Sequence, residues 1–263
     1  MPSRSRSAEK GMPHALARFG FFARGFVYVV VGGLAARVAI VQRGRTLGPA
    51  GALAKILAGW NGRLALWIVA AGLFAFVLFR AAQLRRTSSR LARVGYAVSA
   101  LGSSFLAVTA VRVLLHFHAG GDAEAIREAA ARLVSHPWGR GAVEIGGAIA
   151  LAVGIIEALR AAVGKLPADF TAAIMARGRK RWTAWLARAG VLAHGAVVAV
   201  TGYSILLAGL EGNTRDLSGT AAALRTIRHA ENGPVLFGLA ATGLIAYGLS
   251  LFVLAAHRLK RSR

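Results

Sequence analysis

The chain has 263 residues, with 33 Lys and Arg against 10 Asp and Glu and a formal net charge of +23. Yet 56% of it is hydrophobic and its mean hydropathy is +0.55. That excludes a disordered basic tail and an ordinary soluble domain, where charges of both signs fill about a quarter of positions. With no cysteine, disulfide scaffolds, thiolate metal sites and Cys nucleophiles are excluded as well, which leaves a basic, multispanning membrane protein.

A helix needs about 20 mostly apolar residues to cross a hydrocarbon core of about 30 Å. Six stretches predict such spans: Phe19–Val41, Arg63–Gln83, Val94–Leu115, Gly141–Ala162, Ala189–Leu210 and Pro234–Ala256. The first follows a basic tail (1–16) and contains Arg24 and Arg37. Its Gly25–Ala36 portion has the character of a signal-peptide core. The segment matches two later ones, however, so a retained span is expected. The second span lies between Arg63 and Arg80, which can snorkel to the interfaces. The fourth contains Glu144 and Glu157, and the fifth has His194 as its one titratable group. From Asn232 to Ala256 there is no formal charge.

Internal repetition organises these spans. Ala17-Arg18-Phe19-Gly20 recurs as Ala92-Arg93-Val94-Gly95 and as Ala187-Arg188-Ala189-Gly190, at offsets of 75 and 95 residues. In this register Arg24-Gly25 becomes Ser99-Ala100 and then His194-Gly195. The second helices also align. Gly62, Gly139 and Gly233 open them, and Phe76–Arg80 corresponds to Val153–Glu157 and Tyr247–Leu251. Leu53–Ile56, Ala130–Leu133 and Leu224–Ile227 precede them. Each unit therefore reads helix, amphipathic connector, helix. The expected domains are a tail (1–16), unit 1 (17–86), unit 2 (87–163), a basic connector (164–186), unit 3 (187–257) and a basic tail (258–263).

Three tandem two-helix units, each opening Ala-Arg-x-Gly, resemble the bacterial membrane proteins that carry domain of unknown function 1206 (DUF1206). The match is best in the first unit, Ala17 to Tyr28. The resemblance spans residues 15–257 and implies an architecture without an established activity, so it assigns no catalytic residue. Two-helix units all insert the same way and are related by an axis along the membrane normal. The expected fold is an all-α integral membrane six-helix bundle built from three parallel two-transmembrane-helix repeats. Small residues such as Gly146, Ala150 and Gly154 are expected where helices touch.

Basic residues report orientation. Twenty lie on the side of the N-terminus, the 80–93 and 160–188 regions and the C-terminus, and ten on the other side. Both termini are therefore expected in the cytoplasm, in an inner membrane. Placement of the charge in short juxtamembrane loops argues against a specific nucleic-acid partner. Arg177, Arg179, Lys180 and Arg181, followed by Trp182 and Trp185, form the strongest patch. It reads either as a topology signal with an aromatic anchor or as a site for anionic lipid head groups. Ala168–Leu186 is a candidate surface helix. Gly51–Ala58, Asp122–Val134 and Thr220–His229 are candidate short outer helices.

Ionisable groups inside spans are functional candidates. Arg24 and Glu157 lie near the inner ends of their helices, Arg37 and Glu144 near the outer ends, each pair 13 residues apart on its own helix. That is about 20 Å at 1.5 Å per residue. Two ion pairs, Arg24–Glu157 and Arg37–Glu144, would clamp the first unit to the second. Arg112 competes for Glu144, and Arg80 or Arg160 for Glu157. Separate snorkelling and an ion pathway remain open alternatives.

His116 and His118 with Asp122 do not have the spacing of a tetrahedral metal site, and no metal or cofactor is expected. The chain has no phosphate loop, dinucleotide fingerprint, H-E-x-x-H or G-x-S-x-G motif. The expectation is a non-enzymatic membrane component with a structural, lipid-binding or partner-binding role. A small transporter or channel with a path at the repeat interfaces is the alternative. A protein partner or a second copy of the chain is compatible with either.

Overall fold

The computed structural model describes residues 3–41, 49–87, 90–116, 132–133, 135–136, 138–166, 170–171, 181–211, 224, 228 and 233–260. Among them are seven helices and no strand. The helices are α1 (Ser3–Val41), α2 (Pro49–Leu57), α3 (Gly62–Arg86), α4 (Arg90–His116), α5 (Gly139–Ala162), α6 (Arg181–Glu211) and α7 (Gly233–Lys260). All but α2 are long and apolar enough to cross a membrane. The protein thus has the architecture of a multi-pass membrane protein.

The spans coincide with the six expected stretches and extend some of them. The first begins at Leu16 and the fifth runs from Trp182 to Glu211. At these starts one helix runs beyond its span and one expectation is corrected. α1 reaches back to Ser3 through the polar residues of the N-terminal tail. Arg181–Leu186 belongs to α6 and not to a separate surface helix. Most of that connector, and the candidate outer helices at Asp122–Val134 and Thr220–His229, lie outside the described residues. The candidate at Gly51–Ala58 is α2.

Inside the spans the hydroxyl groups bond back to their own helices. Ser103 donates to the carbonyl of Ser99, Thr109 to Phe105, Thr201 to Val197 and Ser204 to Val200, at 2.8–3.0 Å. This satisfies polar side chains where no water is available. The end of α5 is set by Gly164, at φ +78°. Its N–H donates to the carbonyl of Ala161, and that of Lys165 to Arg160. This is a Schellman ending, which needs a left-handed residue that glycine supplies without a Cβ penalty.

Neighbouring spans run antiparallel. They form a ring in the order α1, α3, α4, α5, α6, α7 and back to α1. α1, α4 and α6 begin, and α3, α5 and α7 end, at what is here called the terminal end. α2 lies at the other end against α1, α3 and α4, with Ala52 and Leu53 fully buried.

Glycines let the backbones approach. A Cβ at Gly25 of α1 would sit 2.8 Å from the carbonyl oxygen of Gly248 in α7, and one at Gly248 would sit 2.6 Å from that of Gly25. α5 and α6 interlock through Gly154 against Gly195 and Ala199, Gly202 against Leu151, and Gly147 against Leu206. The expected strip of Gly146, Ala150 and Gly154 is therefore rotated. Gly147 makes the contact, and Gly146 faces open space. One residue turns a helix face by about 100°.

Adding a methyl at Gly154 places it against backbone that cannot yield. Gly154→Ala should lower thermal stability by about 1–3 kcal/mol, measured by tryptophan fluorescence in detergent. Gly238→Ala, at a position with nothing within 4 Å, should stay within about 0.5 kcal/mol of the parent.

Candidate functional site

A buried polar cluster draws at least one residue from every span. His194 of α6 is its centre. The Nδ1 of His194 lies 3.0 Å from Oε2 of Glu157 in α5, and its Nε2 lies 3.1 Å from the hydroxyl of Tyr28 in α1. A carboxylate can only accept, so Nδ1 carries the proton facing Glu157. In a neutral ring Nε2 then accepts from the Tyr28 hydroxyl. The imidazole stacks on Tyr247 of α7 at 4.2 Å, and Tyr28 meets both rings edge-on. His194 is 5% exposed, whereas the Glu157 side chain is 32% exposed.

Arg24 of α1 occupies the adjoining half. Its Nη1 donates to the hydroxyl of Ser99 in α4 at 2.9 Å. Its guanidinium lies 5.0 Å from the ring centre of Phe76 in α3, a cation–π contact that offsets part of the cost of burying the charge. Arg24 is 8% exposed, and its Nε has no hydrogen-bond partner. Arg80 of α3 lies over Phe76 and over Tyr96 of α4 and donates to Gln83 at 2.6 Å. Arg24 stands eight residues inside the span that begins at Leu16, about 12 Å in at 1.5 Å per residue. The cluster therefore lies in the half of the bundle nearer the terminal end.

The expected ion pairs are corrected in detail. Arg24 and Glu157 belong to the same cluster and act on each other electrostatically, but His194 holds Glu157 and Ser99 holds Arg24. Glu144 is paired with Arg140 on its own helix at 3.2 Å. Arg140 in turn donates to the carbonyls of Gly209 and Leu210 in α6. Arg37 and Arg112 are exposed on α1 and α4, and neither holds Glu144. Of the candidate lipid-binding residues, Arg177, Arg179 and Lys180 lie outside the described residues. Arg181 opens α6, and Trp182 and Trp185 are exposed on its first turns. His118 and Asp122 also lie outside. Among the described residues no group of three or more His, Asp or Glu is placed to hold a metal ion.

Sequence reasoning placed Arg24 and Glu157 but missed His194, Tyr28, Ser99 and Tyr247 as their partners. The signal for three of them was present. Arg24, Ser99 and His194 are register equivalents, as are Phe76 and Tyr247. In α1–α3 the charged group lies over Phe76, and in α6–α7 the imidazole lies over Tyr247.

The hairpin contacts around the cluster follow the same register. A Cβ on Gly20 would sit 2.6 Å from the Cβ of Phe76, and one on Gly190 would sit 2.5 Å from the backbone of Tyr247. One turn further along, Gly72 lies against the Cβ of Ala23, and Gly243 against that of Ala193, closer than a side chain at the glycine would allow. In α4 and α5 the corresponding pair is Val98 and Ile149. There α4–α5 is much the slightest contact between neighbouring spans, Ile149 is exposed and Gly95 has nothing within 4 Å.

The family model of Domain of Unknown Function (DUF1206) matches residues 19–85 and 189–258, just over half of the chain, and the chain belongs to this family. The matched regions are the α1–α3 and α6–α7 hairpins, the two that share the Ala–Gly contact. The chain is also similar to the uncharacterised protein YxxB of Bacillus subtilis (strain 168), with 25% identity over 242 residues, covering 88% of this chain and 86% of that protein. No solved structure matches it.

His194 and Glu157 should behave as one unit. In a double-mutant cycle on thermal stability, His194→Ala and Glu157→Gln should couple by about 1 kcal/mol, within the range of intramembrane hydrogen bonds. The charge swap Arg24→Glu with Glu157→Arg should give no rescue, because it puts a cation where the Nδ1–H of His194 donates to a carboxylate.

Proposed function

We propose that the protein is a non-enzymatic component of the cytoplasmic membrane, built of three parallel two-helix units with both termini in the cytoplasm. In this reading it works by binding anionic lipid head groups at its terminal end. The reading draws first on the start of α6. Trp182 and Trp185 are three residues apart on one helix face, 59% and 64% exposed, at the depth where indole rings favour the membrane–water interface. Arg188 lies 5.0 Å from the Trp185 ring centre and donates to the carbonyls of Ala161 and Ala162 at the end of α5. The basic residues Arg177, Arg179, Lys180 and Arg181 immediately precede this shelf in the sequence.

The two-to-one excess of basic residues at the terminal end supports the cytoplasmic assignment. The non-enzymatic reading draws on the state of the polar cluster. Both ring nitrogens of His194 bond side chains of other spans, Glu157 and Tyr28, as a polar group that joins helices does. A second reading, a small transporter or channel, draws on the loose α4–α5 contact beside charged residues.

The test uses the intact protein in detergent, titrated with short-chain phosphatidylglycerol or phosphatidylcholine and followed by tryptophan emission. Phosphatidylglycerol should shift the emission and phosphatidylcholine should not. Neutralising Arg179, Lys180 and Arg181 to Gln should weaken the response by about 100-fold, at about 1 kcal/mol per basic residue. Equal responses to the two lipids would contradict head-group binding. Ion or solute flux in proteoliposomes would favour the second reading.

A further inference from the structure

The gap between α4 and α5 has a specific lining. On α4, Gly95, Ser99 and Gly102 fall at helical spacings of four and three, so they share one face. A Cβ at Gly95 or Gly102 would meet nothing within 4 Å. On α5, Gly146, Ala150, Val153 and Glu157 share one face in the same way. Gly146 has nothing within 4 Å, and the other three are only partly buried.

Their register equivalents explain the space. Where α5 has Gly146, Ala150 and Val153, α3 has Val69, Leu73 and Phe76, and α7 has Ala240, Leu244 and Tyr247. Leu73, Phe76 and Leu244 are fully buried. Unit 2 thus replaces large core residues by small ones. It also has Val98 and Ile149 where the other two hairpins have Ala and Gly in contact. Both differences fall where the ring is open.

A strip of small residues would not in itself be a site, but this one ends on a buried charge. Arg24 reaches the strip directly through Ser99, and its Nε lacks a partner. The polar cluster adjoins the gap through Ser99 of α4, which accepts from Arg24, and through Glu157 of α5, which accepts from His194. Among the described residues Arg24 is held by Ser99 and by no carboxylate, and Glu157 is already engaged by His194. The balance of charge favours an anion over a cation.

We propose that the α4–α5 gap is a lateral binding cleft for one anionic phospholipid. Its acyl chain lies along Gly102, Gly146, Ala150 and Val153, and its phosphate sits at Arg24 and Ser99. Guanidinium is the side chain best matched to phosphate oxygens. An acyl chain suits an apolar cleft that opens to the hydrocarbon core. The cleft is separate from the tryptophan shelf at the start of α6 and stands if surface binding there fails.

The experiment uses the full chain in nanodiscs doped with phosphatidylglycerol or phosphatidylcholine that carries the same diazirine-bearing tail, followed by peptide mapping of the photoproducts. The phosphatidylglycerol probe should label residues 95–106 and 146–157 in preference to the outer faces of α3 and α7. Arg24→Gln should reduce that labelling about tenfold and leave the phosphatidylcholine signal unchanged. Ala150→Leu with Val153→Phe, which restores the bulk of Leu73 and Phe76, should abolish it whether or not Arg24→Gln folds. Neutralising Arg179, Lys180 and Arg181 should leave the cleft signal intact. Equal labelling by the two probes would overturn the proposal. So would labelling that the filled variant does not reduce, or a cleft that no probe enters because a segment of this chain or a second copy covers it.

Discussion

Helix association inside a bilayer depends on how closely backbones can approach, because lipid tails are as apolar as leucine and provide no hydrophobic drive. In this protein glycines meet that constraint along α1–α7 and α5–α6, and two of the hairpins meet it at one small pair each. Ala23 meets Gly72 between α1 and α3, and Ala193 meets Gly243 between α6 and α7. With those pairs in contact, Gly20 and Gly190 come to rest against Phe76 and Tyr247. The aromatic rings are then placed beneath Arg24 and His194. The interior cluster thus follows from close approach, and on the open α4–α5 side the corresponding sequence positions are Val98 and Ile149.

Charges in a membrane interior are costly and persist where they share partners. Here the sharing is among six helices, not between two. Arg24, Ser99 and His194 occupy the same place in successive first helices, and the bundle brings them to one level. Arg24 donates to Ser99 directly, while His194 links Glu157 to Tyr28. The cluster therefore has one cationic side, at Arg24, and one side closed by the imidazole of His194. Part of the Glu157 side chain remains exposed.

Much of this was legible in the sequence. Six apolar stretches of sufficient length, separated by basic loops, define the spans because backbone hydrogen bonding leaves few other structures possible in lipid. The Ala-Arg-x-Gly register marked Gly20 and Gly190, which two hairpins use, and equally Gly95, which meets nothing within 4 Å. The pairing of Arg24 with Glu157 was not legible in detail, because formal charges alone give no weight to a neutral histidine with two hydrogen-bonding nitrogens. The α5 packing face was misplaced by one residue, from Gly147 to Gly146, since both positions are glycine and rotation about a uniformly apolar helix leaves little trace in composition. The extension of α1 to Ser3 was missed because apolar length defines the span but not the helix that continues beyond it.

The most direct measurement is the distance between α4 and α5 when the small pair is restored. The chain contains no cysteine, so spin labels on Leu101→Cys and Ile145→Cys, both exposed positions, report without background. Double electron–electron resonance should give a shorter distance when Val98→Ala and Ile149→Gly are introduced together, as the hairpin closes in the manner of α1–α3 and α6–α7. An unchanged distance would contradict the claim that these two side chains hold the bundle open.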